Sequence, residues 1–256
     1  MDGCIQRRRG ELLMNEHLIQ HSTLTSLADG FREKNNITTQ LTPSQMITLL
    51  NDMDNINTSV QLIDASIENI TNSRVTSIGK YSLYQRENLA NVNLPAVRII
   101  EDYGFYKCTN LQNCNTPLCE TIGAFAFREC SSLVIANFQN ATIVEQGAFD
   151  GCSMLSSVNF PLITIVEPLT FRKCENLTTI DLANVSNIGT QAFYNSGISS
   201  LILRSNTVVS LENKDAFYFT PIEEGTGYIY VPSELVANYK ATSEWSVYAN
   251  QIRAIE

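Results

Sequence analysis

His17 and His21 are the only imidazoles in the chain, and they stand four apart, the spacing that puts two metal ligands on one helix face. No carboxylate or cysteine motif completes a site around them, so the pair reads as incidental. Four of the seven cysteines, Cys108, Cys130, Cys152 and Cys174, recur every 22 residues. No CxxC or Cys/His pair accompanies them, which argues against zinc. Bridging between stacked coils is geometrically open to them. Inward cysteines in series are nonetheless expected to be reduced, acting as small hydrophobes whose thiols donate to turn carbonyls. The 26 carboxylates are scattered, and no G-x-S-x-G, phosphate loop or dinucleotide motif occurs. Paired-carboxylate chemistry needs a cleft that raises one pKa, and a slender repeat offers none. The expectation is a protein that is not an enzyme, with no cofactor and no metal.

What must position these side chains is a repeat. Ile78, Ile100, Ile122, Val144, Val166 and Ile188 are each 22 residues apart. Leu83, Phe105, Phe127, Phe149, Phe171 and Phe193 keep the same step, as do Leu89, Leu111, Leu133, Leu155 and Leu177. In Val158-Asn159-Phe160 the apolar residues alternate, the mark of a short strand with one buried face. One such strand cannot bury that face alone, so coils must stack, with parallel strands roughly 4.8 Å apart. The fold class is therefore a β-rich α/β solenoid of the leucine-rich kind, built on parallel strands. After Tyr194 the register slips by one: Ser196 takes the cysteine position and Gly197-Ile198 arrives early.

Four segments follow: a tail at 1–21, a helical hairpin module at 22–54, the solenoid at 55–219 and a C-terminal cap at 220–256. In the second, Leu24, Leu27, Ala28 and Phe31 have helical spacing after the cap candidate Ser22. Thr42-Pro43-Ser44-Gln45 is a capping box with proline at the first helical position. Two helices this short need something to pack on. Met14 is an alternative start to Met1. In the cap, Tyr228 to Val231 reads as a last strand, Ser233-Glu234-Leu235 opens a helix through Tyr239, and Trp245 plugs the stack.

The net charge is -9, and residues 51–256 hold 21 acidic against 12 basic side chains. That balance argues against a nucleic-acid backbone as partner; Arg7-Arg8-Arg9 is too short a run to reverse it. No apolar run approaches the ~20 residues of a membrane span. Gly10-Glu11 follow those arginines where a signal peptide would turn apolar.

IGAFAFRECSSL, VEQGAFDGCSML and VEPLTFRKCENL resemble the BspA-like leucine-rich repeat unit, I-G-x-x-A-F-x-x-C-x-x-L, over about residues 67–217. The end, GTGYIYVPSELVANYKATSEWSVYANQI, is similar to the cap of such proteins in gut Firmicutes and their phages. The opening, STLTSLADGFREKNNITTQLTPSQM, resembles a module of phage and prophage tail-associated proteins, usually T-x-L-A-D-A-I-R-x-K followed by L-T-P-x-x-M. Here Gly30-Phe31 replaces Ala-Ile and Asn35-Asn36 replaces Thr-Gly. The resemblance implies adhesion, receptor binding or virion structure.

Two surface columns are candidates for recognition. One is aromatic: Tyr81 and Tyr84, Tyr103 and Tyr106, then Phe125 with Arg128, residue types that dominate contact hot spots. The other is Asn93, Asn115, Asn137, Asn159 and Asp181, read first as a structural amide ladder and alternatively as a polar binding face. The leading expectation is a tail-associated structural or receptor-binding protein, located in the virion, or in the bacterial cytoplasm before assembly. Its partners would be a host protein or surface glycan, other virion subunits through residues 22–54, and further copies of itself. A bacterial surface or secreted adhesin and an intracellular protein-interaction scaffold are the alternatives.

Overall fold

The structure is a computed structural model and describes residues 68–256. The tail and the helical hairpin expected at 22–54 lie outside the described residues. What remains is a parallel-strand solenoid of about eight coils, with helix only near its C-terminal end. The strands, numbered in chain order, alternate between two ribbons. Ribbon A holds β1 (Asn69–Thr71), β3 (Asn91–Asn93), β5 (Asn113–Asn115), β7 (Ile135–Asn137), β9 (Ser157–Asn159), β11 (Thr179–Leu182), β13 (Ser200–Leu203), β15 (Tyr228–Val231) and β16 (Ile252–Ala254). Ribbon B holds the two-residue strands β2 (Ser77–Ile78), β4 (Ile99–Ile100), β6 (Thr121–Ile122), β8 (Ile143–Val144), β10 (Ile165–Val166), β12 (Asn187–Ile188) and β14 (Ser210–Leu211). Pairing is parallel with a 22-residue step, as in Val92 beside Cys114 and Ile100 beside Ile122. The register slip appears as Ile180 beside Leu201. It is absorbed at Gly197, where a Cβ would lie 2.1 Å from the Glu175 carbonyl oxygen, so no other residue fits.

Between ribbon B and the next ribbon A strand runs a turn edge, and it carries its own ladder. Tyr81, Leu83 and Gln85 donate their N–H groups to the carbonyls of Asp102, Gly104 and Tyr106 in the next coil, at 3.1, 2.9 and 2.7 Å. Such bonds recur coil after coil, ending with Phe193 to Ala216 and Asn195 to Tyr218. Two positions per coil are left-handed to permit this. One column includes Tyr81, Tyr103, Phe125, Gly147, Leu169 and Gln191; the other Gln85, Lys107, Glu129, Gly151, Lys173 and Asn195. Each non-glycine residue there costs roughly 1–2 kcal/mol, which the ladder must offset.

The ribbons, by contrast, are interrupted. Ribbon A divides into β1-β3-β5, β7-β9 and β11-β13-β15-β16. These breaks coincide with changes in one inward column, which reads Leu94, Thr116, then Phe138, Phe160, then Leu182, Leu203. Phe138 and Phe160 stack at 5.7 Å, and the strands that carry them, β7 and β9, stay paired with each other. The main core column is Phe105, Phe127, Phe149, Phe171, Phe193 and Phe217. Its rings are fully buried and stacked at 5.0 to 5.9 Å. Cys108, Cys130, Cys152 and Cys174 donate their thiols to the carbonyls of Leu83, Phe105, Phe127 and Phe149, at 3.0 to 3.2 Å. All the described cysteines are free thiols.

The last coils close over this core. Residues Ser233–Leu235 form a 3-10 turn that leads into α1 (Val236–Ala241), followed by α2 (Ser243–Ser246). Trp245 is fully buried against Phe217 and Tyr239, and its indole N–H donates to the Val209 carbonyl at 2.7 Å. The Tyr239 hydroxyl accepts the Val209 N–H at 2.9 Å, and the Tyr248 hydroxyl donates to the Lys214 carbonyl at 2.6 Å. Tyr228–Val231 is not the last strand: β16 pairs beside it in parallel, Ile229 with Ile252. Sequence alone hid this because Ile252–Ala254 has only one buried residue.

Candidate interaction surface

The turn edge brings the predicted aromatic residues together. Tyr81 stacks on Tyr103 at 4.8 Å and Tyr103 on Phe125 at 5.3 Å. Tyr84 stacks on Tyr106 at 4.9 Å, and the two columns meet edge to face, Tyr81 with Tyr84 and Tyr103 with Tyr106. Left-handed backbone at Tyr81, Tyr103 and Phe125 is a property of the coil, shared by Leu169 and Gln191, and is not by itself a functional sign. The patch is part exposed. Tyr81 and Tyr84 are 37% and 38% exposed, and the other three rings are half-buried. None of the four phenol hydroxyls makes a hydrogen bond or is buried among the described residues. The outer stack ends at Gly147, whose φ is +63° and whose absent Cβ would lie 2.3 Å from the Phe125 ring. Phe125 occupies the space a side chain would need.

Cations rim the rings. Lys80 lies over Tyr81 and Lys107 over Tyr106, at 5.7 and 5.5 Å from the ring centres. The Asp102 carboxylate, 3.0 Å from the Lys80 ammonium, raises that group's pKa by hydrogen bond and charge. The charge of Glu129 raises Lys107. The Arg128 guanidinium sits 5.4 Å from the Phe125 ring centre and 5.8 Å from that of Tyr106. Behind it is a feature sequence reading did not single out. Asp150 is only 2% exposed, with Arg128 Nε 3.1 Å from one carboxylate oxygen and Arg172 Nε 2.9 Å from the other. Its signal was available: Arg128, Asp150 and Arg172 are successive members of the 22-residue column that also contains Tyr84, Tyr106 and Tyr194.

The asparagine column proves to be two pairs. Asn115 donates to Asn93 at 2.6 Å and Asn159 to Asn137 at 2.9 Å. The gap between Asn115 and Asn137 falls where ribbon A breaks between β5 and β7. Asp181 turns to Arg204, 2.7 Å away, instead of joining the amides. A parallel amide column, Asn69, Asn91 and Asn113, bonds at 2.7 and 2.8 Å. These amides are engaged with one another, as a structural ladder requires.

Ribbon B exposes Ile99, Ile143 and Ile165 in one column. Beside it, a groove of about 260 Å³ is lined by Lys80, Ile99, Glu101, Asp102, Gly123 and Glu145 among others. Its carboxylates already have work: Glu101 accepts the N–H of Lys80, Glu145 that of Ala124, and in a later coil Glu212 that of Thr190, at 2.9 to 3.2 Å. The three N–H groups follow Gly79, Gly123 and Gly189, so glycine in one coil and glutamate in the next form a repeated cap. Among the described residues, no group of three or more His, Cys, Asp or Glu is arranged to hold a metal ion. Burial pushes the Cys119 thiol up to about 12 and raises Cys130, Cys152 and Cys174 as well, so these thiols are not poised nucleophiles. No helix of the described residues is long and apolar enough to cross a membrane.

Several proteins of solved structure are similar to this chain. A leucine-rich cell surface protein from Faecalibacterium prausnitzii A2-165 is similar over 65% of this chain and 48% of its own length, with 24% identity and a TM-score of 0.56. A leucine-rich repeat protein of T. pallidum matches 53% of this chain and 78% of its own at 19% identity and a TM-score of 0.43. The pneumococcal vaccine antigen PcpA matches 75% and 42% at 15% identity and the same TM-score. The first likeness is one of fold, and the chain spans about half the length of that protein. No curated protein matches the chain. The BspA type leucine rich repeat region matches in six copies, over residues 54–178 and 142–227. With stacked coils and a buried I-x-x-x-x-F framework behind that match, the chain belongs to the BspA-type leucine-rich repeat family.

Proposed function

We propose that this protein is a non-enzymatic recognition subunit of a phage or prophage tail, contacting the host through the turn edge of its first described coils. Tyr81, Tyr84, Tyr103, Tyr106, Phe125 and Arg128 form the contact surface. One observation carries it: a stacked, part-exposed set of tyrosines whose hydroxyls are all unengaged among the described residues. Rigid aromatic side chains that lose little entropy on contact are suited to recognition. The tail assignment rests on the resemblance of residues 22–46 to tail-associated modules. On this reading residues 22–54 join the solenoid to other virion subunits.

Adsorption competition tests it. Host cells preincubated with the purified chain should adsorb fewer phage, in proportion to the chain bound. Virions that lack the protein, or adsorption unchanged at saturating chain, would remove the assignment. A second reading is a bacterial surface adhesin, prompted by the repeat family and by the cell surface protein of Faecalibacterium. It keeps the same contact edge and changes only the carrier, so fractionating the producing cells separates the two.

A further inference from the structure

Arg128 and Arg172 are tethered in an unusual way. Each approaches the buried Asp150 carboxylate through Nε, and Arg128 Nε also lies 3.6 Å from a Glu129 carboxylate oxygen. Arg172 Nε donates a hydrogen bond there; Arg128 Nε pairs by charge without hydrogen-bond geometry. Among the described residues, the terminal Nη groups of both arginines donate no hydrogen bond, and none is sealed from solvent. The bidentate end of a guanidinium, the part that matches a carboxylate or phosphate, is therefore open on both side chains. A buried carboxylate is normally explained by what it neutralises. Here it holds two guanidinium groups by Nε, while their Nη ends donate no hydrogen bond among the described residues.

The neighbours extend this arrangement. Along the same column, Tyr84 and Tyr106 precede Arg128, and Tyr194 and Tyr218 follow Arg172, all with hydroxyls that make no hydrogen bond among the described residues. The edge thus presents phenol donors, two arginine forks, then phenol donors again. Positions 80–85 and their repeats through Asn195 carry five cations, Lys80, Lys107, Arg128, Arg172 and Lys173, against Asp102, Glu129 and the buried Asp150, with Glu101, Glu145 and Glu167 at the position just before.

We infer that the Arg128–Asp150–Arg172 cluster is an anion-binding site, taking an oxyanion group of an acidic glycan that lies along the turn edge. A glycan fits better than a polypeptide because the flanking donors are hydroxyls in rows matching the coil repeat, suited to a partner that alternates hydroxyls with charge. Stacking on sugar faces is not the mode, since Tyr103 and Phe125 cover each other and Phe125 closes over Gly147. This inference rests on the turn edge being the contact surface, and it adds the ligand class.

Titration calorimetry of the full chain with oligogalacturonate (carboxylate) and with phosphorylated dextran of matched length (phosphate) tests it. At least one should bind, and its affinity should fall as salt rises; unsubstituted dextran should not bind. Arg128→Lys with Arg172→Lys keeps the charges that neutralise Asp150 but removes the forks. It should weaken binding by about ten-fold or more, the worth of a charge-assisted bidentate pair. Should that variant not fold, Tyr106→Phe with Tyr194→Phe serves instead, with a loss of roughly three-fold per hydroxyl. Wild-type binding of neither anionic glycan, equal binding by the double lysine variant, or tighter binding of poly-glutamate would overturn the proposal. If the anionic glycans fail while adsorption to host cells still depends on the tyrosines, only the ligand class is wrong.

Discussion

Two aromatic stacks run side by side along the turn edge, and they differ in almost everything except spacing. The inner one begins at Leu83, is fully buried and keeps phenylalanine without a break from Phe105 to Phe217. The outer one, Tyr81–Tyr103–Phe125 with Tyr84–Tyr106, spans three coils, stays part exposed and gives way to Gly147 and to the Arg128–Asp150–Arg172 cluster. A repeat stacks whatever it is given, so stacking alone says nothing about purpose. Uniformity marks what the fold needs, and departure from uniformity marks what this molecule adds. The tyrosines make the same point. In the cap, the hydroxyls of Tyr239 and Tyr248 are bonded to the backbone, whereas those of the outer stack make no hydrogen bond among the described residues.

The comparison can be broken most forcefully from the inside. Phe149→Ala should cost about 3–5 kcal/mol in a urea melt, the range for truncating a buried aromatic. An unchanged midpoint would deny the inner stack its role. Next comes the seam between the stacks. Gly147→Ala meets both a left-handed backbone and the Phe125 ring, so a loss of about 1–3 kcal/mol is expected, together with a changed Phe125 environment by NMR. A smaller loss belongs to Tyr81→Ser, the first member of the outer stack among the described residues, at about 1 kcal/mol or less.

Alkali gives a test without mutation. Burial raises Cys119, Cys130, Cys152 and Cys174 above the ordinary thiol pKa. Their contribution is therefore fully present below the unfolded thiol pKa and is lost as pH rises above it toward the folded values. Stability should be flat in these groups at neutral pH and decline from about pH 9 upward. In the native state thiol reagents should label these cysteines slowly, and denaturant should release all seven thiols of the chain. A count of three or fewer would mean disulfides. The smallest effect is a gain. Ser196 occupies the cysteine position of its coil with a buried hydroxyl that finds no partner, so Ser196→Cys should raise stability by up to about 1 kcal/mol.

Much of this fold was legible in the residues because its core is periodic. Ile100, Phe105, Cys108 and Leu111 each announce a column, and one column fixes the register of the rest. The outer aromatic stack was legible for the same reason. Left-handed columns were not, since Tyr103, Lys107, Phe125 and Glu129 are residue types that carry no signal for positive φ; the conformation is imposed by bonds to the next coil. The break in the amide ladder was hidden likewise. Asn115 and Asn137 are chemically equivalent, and they part where Thr116 gives way to Phe138 in the neighbouring column. Asp150 was lost among scattered carboxylates until both arginines were seen to face it.

The outer tyrosines can be stripped of their hydroxyls while their rings are kept. A chain with Tyr81, Tyr84, Tyr103 and Tyr106 all replaced by Phe should melt within a few degrees of wild type, an interval worth about 1 kcal/mol. Its adsorption to host cells, measured beside that melt, should fall by about ten-fold or more, a modest sum over four hydrogen-bonding groups. Equal adsorption by this variant and wild type, at equal stability, would contradict a contact surface built on the outer stack.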